Sequence, residues 1–271
     1  MTQPSADYVL SLSESELRRY QVMAAQARVL EADLWDRAGI ASGAAVADVG
    51  CGPAATAVAM AQVVGPSGSV VGVERDPDAL AQARSLVAAG GVSNVTLRAG
   101  EAARTGLEPG SVDVAVMRHV LAHNGSHELE IVRHLAEVVR PGGWVYLVDV
   151  DLTGFRVLPM DPRLADMSAR YAEFHTGIGN DPMIGLRLGN MLRDAGLVDV
   201  EHHGRFSIFP APPGLRPPPW VAREAMVAAG TISADDADRW TTALEAMDAS
   251  EERPTVFIAQ FFALGRRPSV P

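Results

Sequence analysis

The chain has no lysine: all 23 of its basic residues are arginine. This removes chemistry that needs a primary amine, including Schiff-base and pyridoxal-phosphate catalysis and the phosphate-binding lysines of P-loop enzymes and kinases. Cysteine is almost absent too. The single Cys51 cannot form an internal disulfide, and a cytoplasmic location is expected. No run approaches the roughly 18 apolar residues of a membrane helix. Met1–Ser15 includes Asp7 and Glu14 with no basic, apolar pattern, so no secretory signal is expected. Positive charge is in deficit, and a net charge of −10 disfavours nucleic acid and anionic membrane as partners. What is present is a chain of 271 residues with 48% hydrophobic content, enough for one large domain or two small ones with a proper core.

Residues 46–54 carry the most information. A short apolar strand ends in Asp48, Gly50 and Gly52 follow at once, and a small-residue helix runs from Ala54 to Val64. Glycines without Cβ let a ligand press against backbone, and a helix start offers unpaired N–H groups at its positive dipole end. Strand, glycine turn and helix in this order form a nucleotide-type site at the carboxyl end of a parallel sheet. The spacing Gly50-x-Gly52-x-x-Ala55 also satisfies the dinucleotide fingerprint. Asp48 tilts the choice, because a carboxylate there repels a pyrophosphate and suits a ligand bearing an ammonium and a sulfonium.

Along the chain, Ser13-x-x-Glu16 reads as a capping box opening an amphipathic helix over Glu14–Ala38. Strands are expected at 44–49, 69–74, 94–99, 112–117 and 144–150, with helices at 54–64, 76–89 and 128–139 between them, and Pro141-Gly142-Gly143 breaking the last helix before its strand. This alternation means a doubly wound parallel sheet. Beyond Val150 the pattern loosens. Residues 151–185 read as irregular around one helix at 163–175, 186–195 as helix, 197–209 as strand, 210–219 as a proline-rich stretch, 220–229 and 234–247 as helices, and 255–264 as a final strand. The two irregular stretches read as insertions over the ligand face of one domain.

The chain resembles the class I S-adenosylmethionine (SAM)-dependent methyltransferases, in particular the small-molecule group with a UbiE-like core. Asp48-Val-Gly50-Cys-Gly52 matches the family's Asp-x-Gly-x-Gly, with Ala54 where a third glycine is usual. Glu74 matches the acid on the ribose hydroxyls, Gly100-Glu101-Ala102 the segment next to adenine, Arg118–His123 the segment near the methyl group, and Pro141–Gly143 the turn before strand five. Tyr8–Glu16 resembles an N-terminal element common in such enzymes from actinobacteria. The resemblance implies an α/β, doubly wound, seven-stranded and mostly parallel sheet. Residues 1–43 form an N-terminal helical lid, and 44–271 form the SAM-binding core with acceptor-capping insertions at 151–185 and 210–250.

The candidate cofactor-binding residues are Asp48, Gly50, Gly52, Glu74, Arg75, Gly100, Glu101, Ala102, Arg118, His119, His123 and Tyr8. Candidate catalytic residues are His123, His175 and Tyr171. His123 leaves the carboxyl edge of the sheet and has an unperturbed pKa of about 6.5, so it reads either as a base or as a hydrogen-bonding residue that fixes the loop before Gly125. Tyr171, His175 and Asp149 read either as lining an acceptor pocket or as packing and surface residues. His119 and His123, four apart, invite a metal reading, but Asn124-Gly125 breaks the helix and no soft partner is near, so no metal is expected. Cys51 reads as a small buried filler.

The expected activity is transfer of a methyl group from SAM, with release of S-adenosylhomocysteine, to a small molecule. Phe155, Met160, Met183, Met191, Phe206 and Trp220 suggest a hydrophobic aromatic or polyketide-like acceptor. Two alternatives stand beside it: a nicotinamide-dependent oxidoreductase, against which Asp48 and Gly100–Ala102 argue, and a SAM-binding protein that does not methylate. Homodimer formation is left open.

Overall fold

The computed structural model of the protein describes residues 14–269. Two helices, α1 (Glu14–Leu30) and α2 (Ala32–Arg37), precede the sheet. The sequence suggested one continuous helix here, but the chain turns at Glu31, whose side chain is drawn inward to a buried arginine. Ser13 lies outside the described residues, so the capping box does too.

From β1 (Ala45–Val49) onward the alternation holds. The elements are α3 (Ala55–Val64), β2 (Ser69–Glu74), α4 (Pro77–Ala89), β3 (Val95–Ala99), β4 (Val112–Arg118), α5 (Glu128–Val138) and β5 (Val139–Val150). These five strands pair in parallel in the order β3-β2-β1-β4-β5. Strands β1 and β4 are buried on both faces, which is why they read as continuous Val and Ala rather than alternating. Their register sets Asp48 level with Gly72 and Val116, so the carboxyl ends form one shelf. Pro141–Gly143 does not separate helix from strand. Val139 already pairs with Val112, and the three residues form an irregularity inside β5.

The stretch 151–185 is less irregular than its sequence suggested. It holds β6 (Arg156–Leu158) and α6 (Pro162–Gly177) before a 3-10 turn and α7 (Leu188–Asp194). β7 (Val198–Pro210) then pairs with β8 (Thr255–Arg266), which runs antiparallel to β5. Since β7 occupies one edge of β8 throughout, β6 prolongs the line of β5 along the other, giving eight strands where seven were expected. The helix expected at 220–229 splits into α8 (Pro218–Val221) and α9 (Arg223–Ala228), followed by α10 (Ala234–Ala249).

Each sheet face has its own buried cluster, one under α1–α3 and one under α5 and α7. A third gathers α6 and α8–α10 around Trp240, Met167 and Met226. The segments after β5 thus build a small core of their own beside the carboxyl shelf. Among the described residues no helix is long and apolar enough to cross a membrane.

Candidate active site

One cavity of about 1030 Å³ opens over the carboxyl ends of β1, β2, β4 and β5. Small-molecule pockets run to about 1,000 Å³ at the upper end, so this one has room for two ligands side by side. Its inner half is the glycine turn. Gly50 has φ +74, and a Cβ there would lie 2.5 Å from Val120 Cγ2, so only glycine fits. Gly52 has φ +53, and a Cβ there would meet nothing, so its bare backbone faces open space. Ala54 holds a left-handed φ of 62 where the resemblance expects glycine, and it gives α3 no side-chain cap.

Glu74 ends β2 with its carboxylate fixed by three backbone donors: Gly52 N–H on Oε2 at 2.9 Å, and Arg75 and Asp76 N–H on Oε1 at 2.8 and 2.9 Å. This acid therefore shapes the glycine turn as well as facing the cavity. Arg75, Gly100, Glu101 and Ala102 line the same half. Glu101 sits at its exposed rim, paired with Arg104 at 2.9 Å. Gly100 is needed for packing, since a Cβ would stand 2.8 Å from Val73 Cγ1. Asp48 is 2% exposed, and its Oδ2 has no hydrogen-bond partner. Burial pushes its carboxyl up to about 7, opposed by Arg118 and helped by Glu74. Burial, then Asp48 and Glu74, push the Cys51 thiol well up, which suits the filler role expected of it.

At the end of β4, Arg118 turns back to Glu31, 2.5 Å away, and Tyr146 O–H donates to the same carboxylate at 2.7 Å. Arg118 lines the cavity but is anchored to the N-terminal helices. Sequence reasoning missed Glu31, because nothing local marks a pair 87 residues apart. His119 follows with φ 54, and a buried Nε2 without a partner. Burial first, then Arg118, Arg19 and His123, bring its imidazole down to about 3. His119 Nδ1 lies 3.9 Å from Asp149 Oδ1 at the end of β5. Asp149 is 1% exposed and accepts from Val150 N–H at 2.9 Å and Ala122 N–H at 3.2 Å. Burial, against those bonds and Arg118, raises it to about 7.

The three candidate catalytic residues form one cluster. His123 and Tyr171 line the cavity, whereas His175 is absent from its wall. His175 is buried behind them, its ring 5.0 Å from His123 and 4.4 Å from Tyr171. Asn180 bonds His175 Nδ1 at 3.0 Å and accepts from Gly125 N–H at 3.1 Å, locking α6 to the loop after β4. Burial lowers both histidines to about 4, with Arg75 adding to it at His123 and His123 at His175. Tyr8 lies outside the described residues.

Beyond the glycine turn the cavity wall is richer in apolar residues, Leu152, Phe155, Phe209, Leu215, Val256 and Ile258, interspersed with Ser168, Ser207, Arg216 and Gln260, and α1 adds Arg19, Tyr20 and Met23. Of the apolar residues the sequence singled out for the acceptor, only Phe155 is in this wall. Met160, Met183 and Phe206 are exposed at 63%, 46% and 69%, Met191 packs under the sheet, and Trp220 packs with the third cluster. Their hydrophobicity serves the surface or the core, and composition does not distinguish these from a pocket.

The family profile described as "Methyltransferase domain" matches residues 46–143, the segment that carries the glycine turn and the carboxyl ends of β1, β2, β3 and β4. The chain is a class I SAM-dependent methyltransferase. Demethylmenaquinone methyltransferase of Geobacillus kaustophilus is 29% identical to it over 186 residues, 62% of this chain and 77% of the relative. Arsenite methyltransferase of Halobacterium salinarum is 34% identical over 113 residues, 42% of this chain and 29% of the relative. In fold, this methyltransferase is similar to phosphoethanolamine N-methyltransferase 2 of Haemonchus contortus in complex with S-adenosyl-L-methionine. That likeness has a TM-score of 0.56 at 16% identity and covers 94% of this chain and 57% of the other.

The residues present fit SAM. The orphaned Asp48 Oδ2 suits an ammonium group, the open face of Gly52 admits a ligand against backbone, and the uncapped start of α3 suits a carboxylate.

Proposed function

We propose that this methyltransferase acts on an apolar, ring-bearing acceptor held in the outer half of the cavity. The observation that carries this reading is the division of one cavity: a glycine-turn half with fixed polar groups, continuous with a half walled by Leu152, Phe155, Phe209, Leu215, Val256 and Ile258. The quinone-type substrate in the name of the Geobacillus relative agrees with it. The arsenic chemistry of the Halobacterium relative does not carry over, because a thiophilic metalloid needs thiolates and this chain has one buried, protonated cysteine.

In this proposal Asp48, Glu74, Gly50 and Gly52 hold SAM, with Arg75, Gly100, Glu101, Ala102, Arg118 and His119 around it. SAM supplies an activated methyl group on a sulfonium, a leaving group needing no further activation. The protein's task is orientation, exclusion of water and, for acceptors that lose a proton, a base. Residues 1–43 serve as a lid, supported by the α1 residues in the cavity wall, and 151–185 and 210–250 cap the acceptor. The unpaired Cys51 supports a reducing, cytoplasmic setting, and the net charge of −10 supports the absence of nucleic-acid partners. Leu158, Phe206 and Ile208, at least half exposed on one face of β6 and β7, support a homodimer.

The test is a panel of hydroxylated naphthoquinols, phenols and hydrophilic amines incubated with SAM and the enzyme, read by mass for gain of one methyl group. Turnover should be confined to the ring compounds. Preference for the hydrophilic amines would overturn the proposed acceptor class while leaving the methyltransferase assignment intact.

A further inference from the structure

We propose that the acceptor carries a carboxylate remote from the atom that is methylated, and that Arg216 is the specificity-determining residue that receives it. The substrate class is then an apolar ring bearing an acid group, which rests on the ring-acceptor function above and adds a charge to it.

Arg216 stands in the loop between β7 and α8, and it lines the cavity. Among the described residues that β7, β8 and the stretch 211–219 give to the wall, it is the one charged group. Its neighbours there are apolar except Ser207 and Gln260. None of the acids in the wall comes from these segments. Opposite charges attract more strongly in such surroundings than in water. The position is also remote from the methyl donor. The glycine turn leaves β1, and β8 lies three strands away across β4 and β5, roughly 14 Å at the usual strand spacing. Arg19, Arg75 and Arg118 instead act on the histidine and tyrosine rings at the strand ends.

The guanidinium is firmly held yet only half used. Nη1 donates to Asp248 Oδ2 of α10 and to Leu215 O, both at 2.9 Å. No further hydrogen bond engages it among the described residues, so Nε and Nη2 keep their donors. Those two nitrogens form the fork that matches the two oxygens of a carboxylate. Asp248 is not a wall residue, so the counter-ion stands away from the cavity. It is also shared, since its Oδ1 accepts from Gly214 N–H at 2.9 Å and lies 3.7 Å from Arg253 Nη2. One carboxylate thus serves two guanidiniums, and the group keeps a net positive charge. The Trp220 ring lies 5.3 Å from the Arg216 guanidinium, its indole N–H donates to Thr241 at 3.0 Å, and Pro217–Pro219 stiffen the chain that follows. A cation fixed in advance loses less entropy on binding than a mobile one. Only 28% of its side chain is exposed, which limits screening by salt.

The experiment compares a hydroxynaphthoate, its carboxamide and the parent naphthol with wild type, Arg216→Gln and Arg216→Lys. Methyl transfer from SAM is read by mass, and binding to the full chain with S-adenosylhomocysteine by calorimetry. Wild type should favour the carboxylate over the carboxamide by about ten- to a hundredfold in KM and in Kd, the effect of charged hydrogen bonds, with kcat within a few-fold. The product should carry its methyl group on the ring hydroxyl and keep a free carboxylate. Arg216→Gln should bring the ratio close to one, and Arg216→Lys, which keeps the charge without the fork, should fall between. Indifference of the wild type to the carboxylate overturns the proposal whether or not the variants fold. So does a preference that survives Arg216→Gln, or a methyl ester formed at the carboxylate. If no ring compound is methylated while hydroxynaphthoate binding still depends on Arg216, the ring-acceptor function fails and the carboxylate site stands.

Discussion

Glu74 shows how one side chain serves two ends. Its carboxylate organises Gly52, Arg75 and Asp76 through their N–H groups, and the lone pairs left over face the cavity, where two ribose hydroxyls would meet them. Glu74→Ala removes the ligand contact and frees the turn, so SAM affinity should fall about ten- to a hundredfold, or roughly 1.5–3 kcal/mol. Calorimetry with unchanged affinity would remove Glu74 from the cofactor site. His175 shows the converse. Its residue type and position suggested catalysis, but its ring is held by Asn180 behind His123 and is absent from the cavity wall.

At the scale of elements, the N-terminal helices are fastened to the sheet by charge as well as by packing. Glu31, at the turn between α1 and α2, meets Arg118 of β4 and Tyr146 of β5, while Arg205 of β7 bonds Leu30 O and Asp33. The Glu31–Arg118 pair is buried, with side chains 3% and 8% exposed. Removing one partner strands the other charge at a cost of about 3–5 kcal/mol, a large fraction of a normal folding stability. Glu31→Leu should show that loss in urea unfolding. The double variant Glu31→Leu, Arg118→Leu should be less destabilised than the sum of the singles. Additive losses would mean that the two charges do not interact. α1 also walls the cavity, so the same fastening holds that part of the wall in place.

For the whole molecule, the buried titratable groups set how stability responds to pH. Asp48 and Asp149 are raised to about 7, so their contribution is full below the unfolded value of 3.8 and is lost as pH rises through 7. His119, His123 and His175 are lowered to about 3, 4 and 4, so theirs is full above 6.5 and lost as pH falls toward those values. Near pH 5.5 the unfolded chain binds a proton on each of the three histidines, and the folded chain binds one on each of the two acids. The difference is about one proton, or roughly 1.4 kcal/mol per pH unit. Urea midpoints of the ligand-free protein should therefore rise from pH 5 to 6 and level off near 6.5. A fall over the first interval would show that the three histidines are not held neutral by burial in the folded chain.

How much the sequence determined varied with the range of the interaction. The alternation of β and α, the glycine turn, the Asp76 cap of α4 and the acid ending β2 were legible, because backbone sterics and capping are local. So was the glycine requirement at Gly50, although its cause, Val120 pressing from 70 residues on, was not. The irregular stretches were opaque, because β6 exists only by pairing with β8, about a hundred residues later. Hydrophobicity marked Met191, Phe206 and Phe155 alike, and only packing assigned them to core, surface and cavity. The tertiary structure alone decided which histidine faces a carboxylate and which faces other rings. That distinction depends on where the ends of β4, β5 and α6 meet, and no spacing along the chain encodes it.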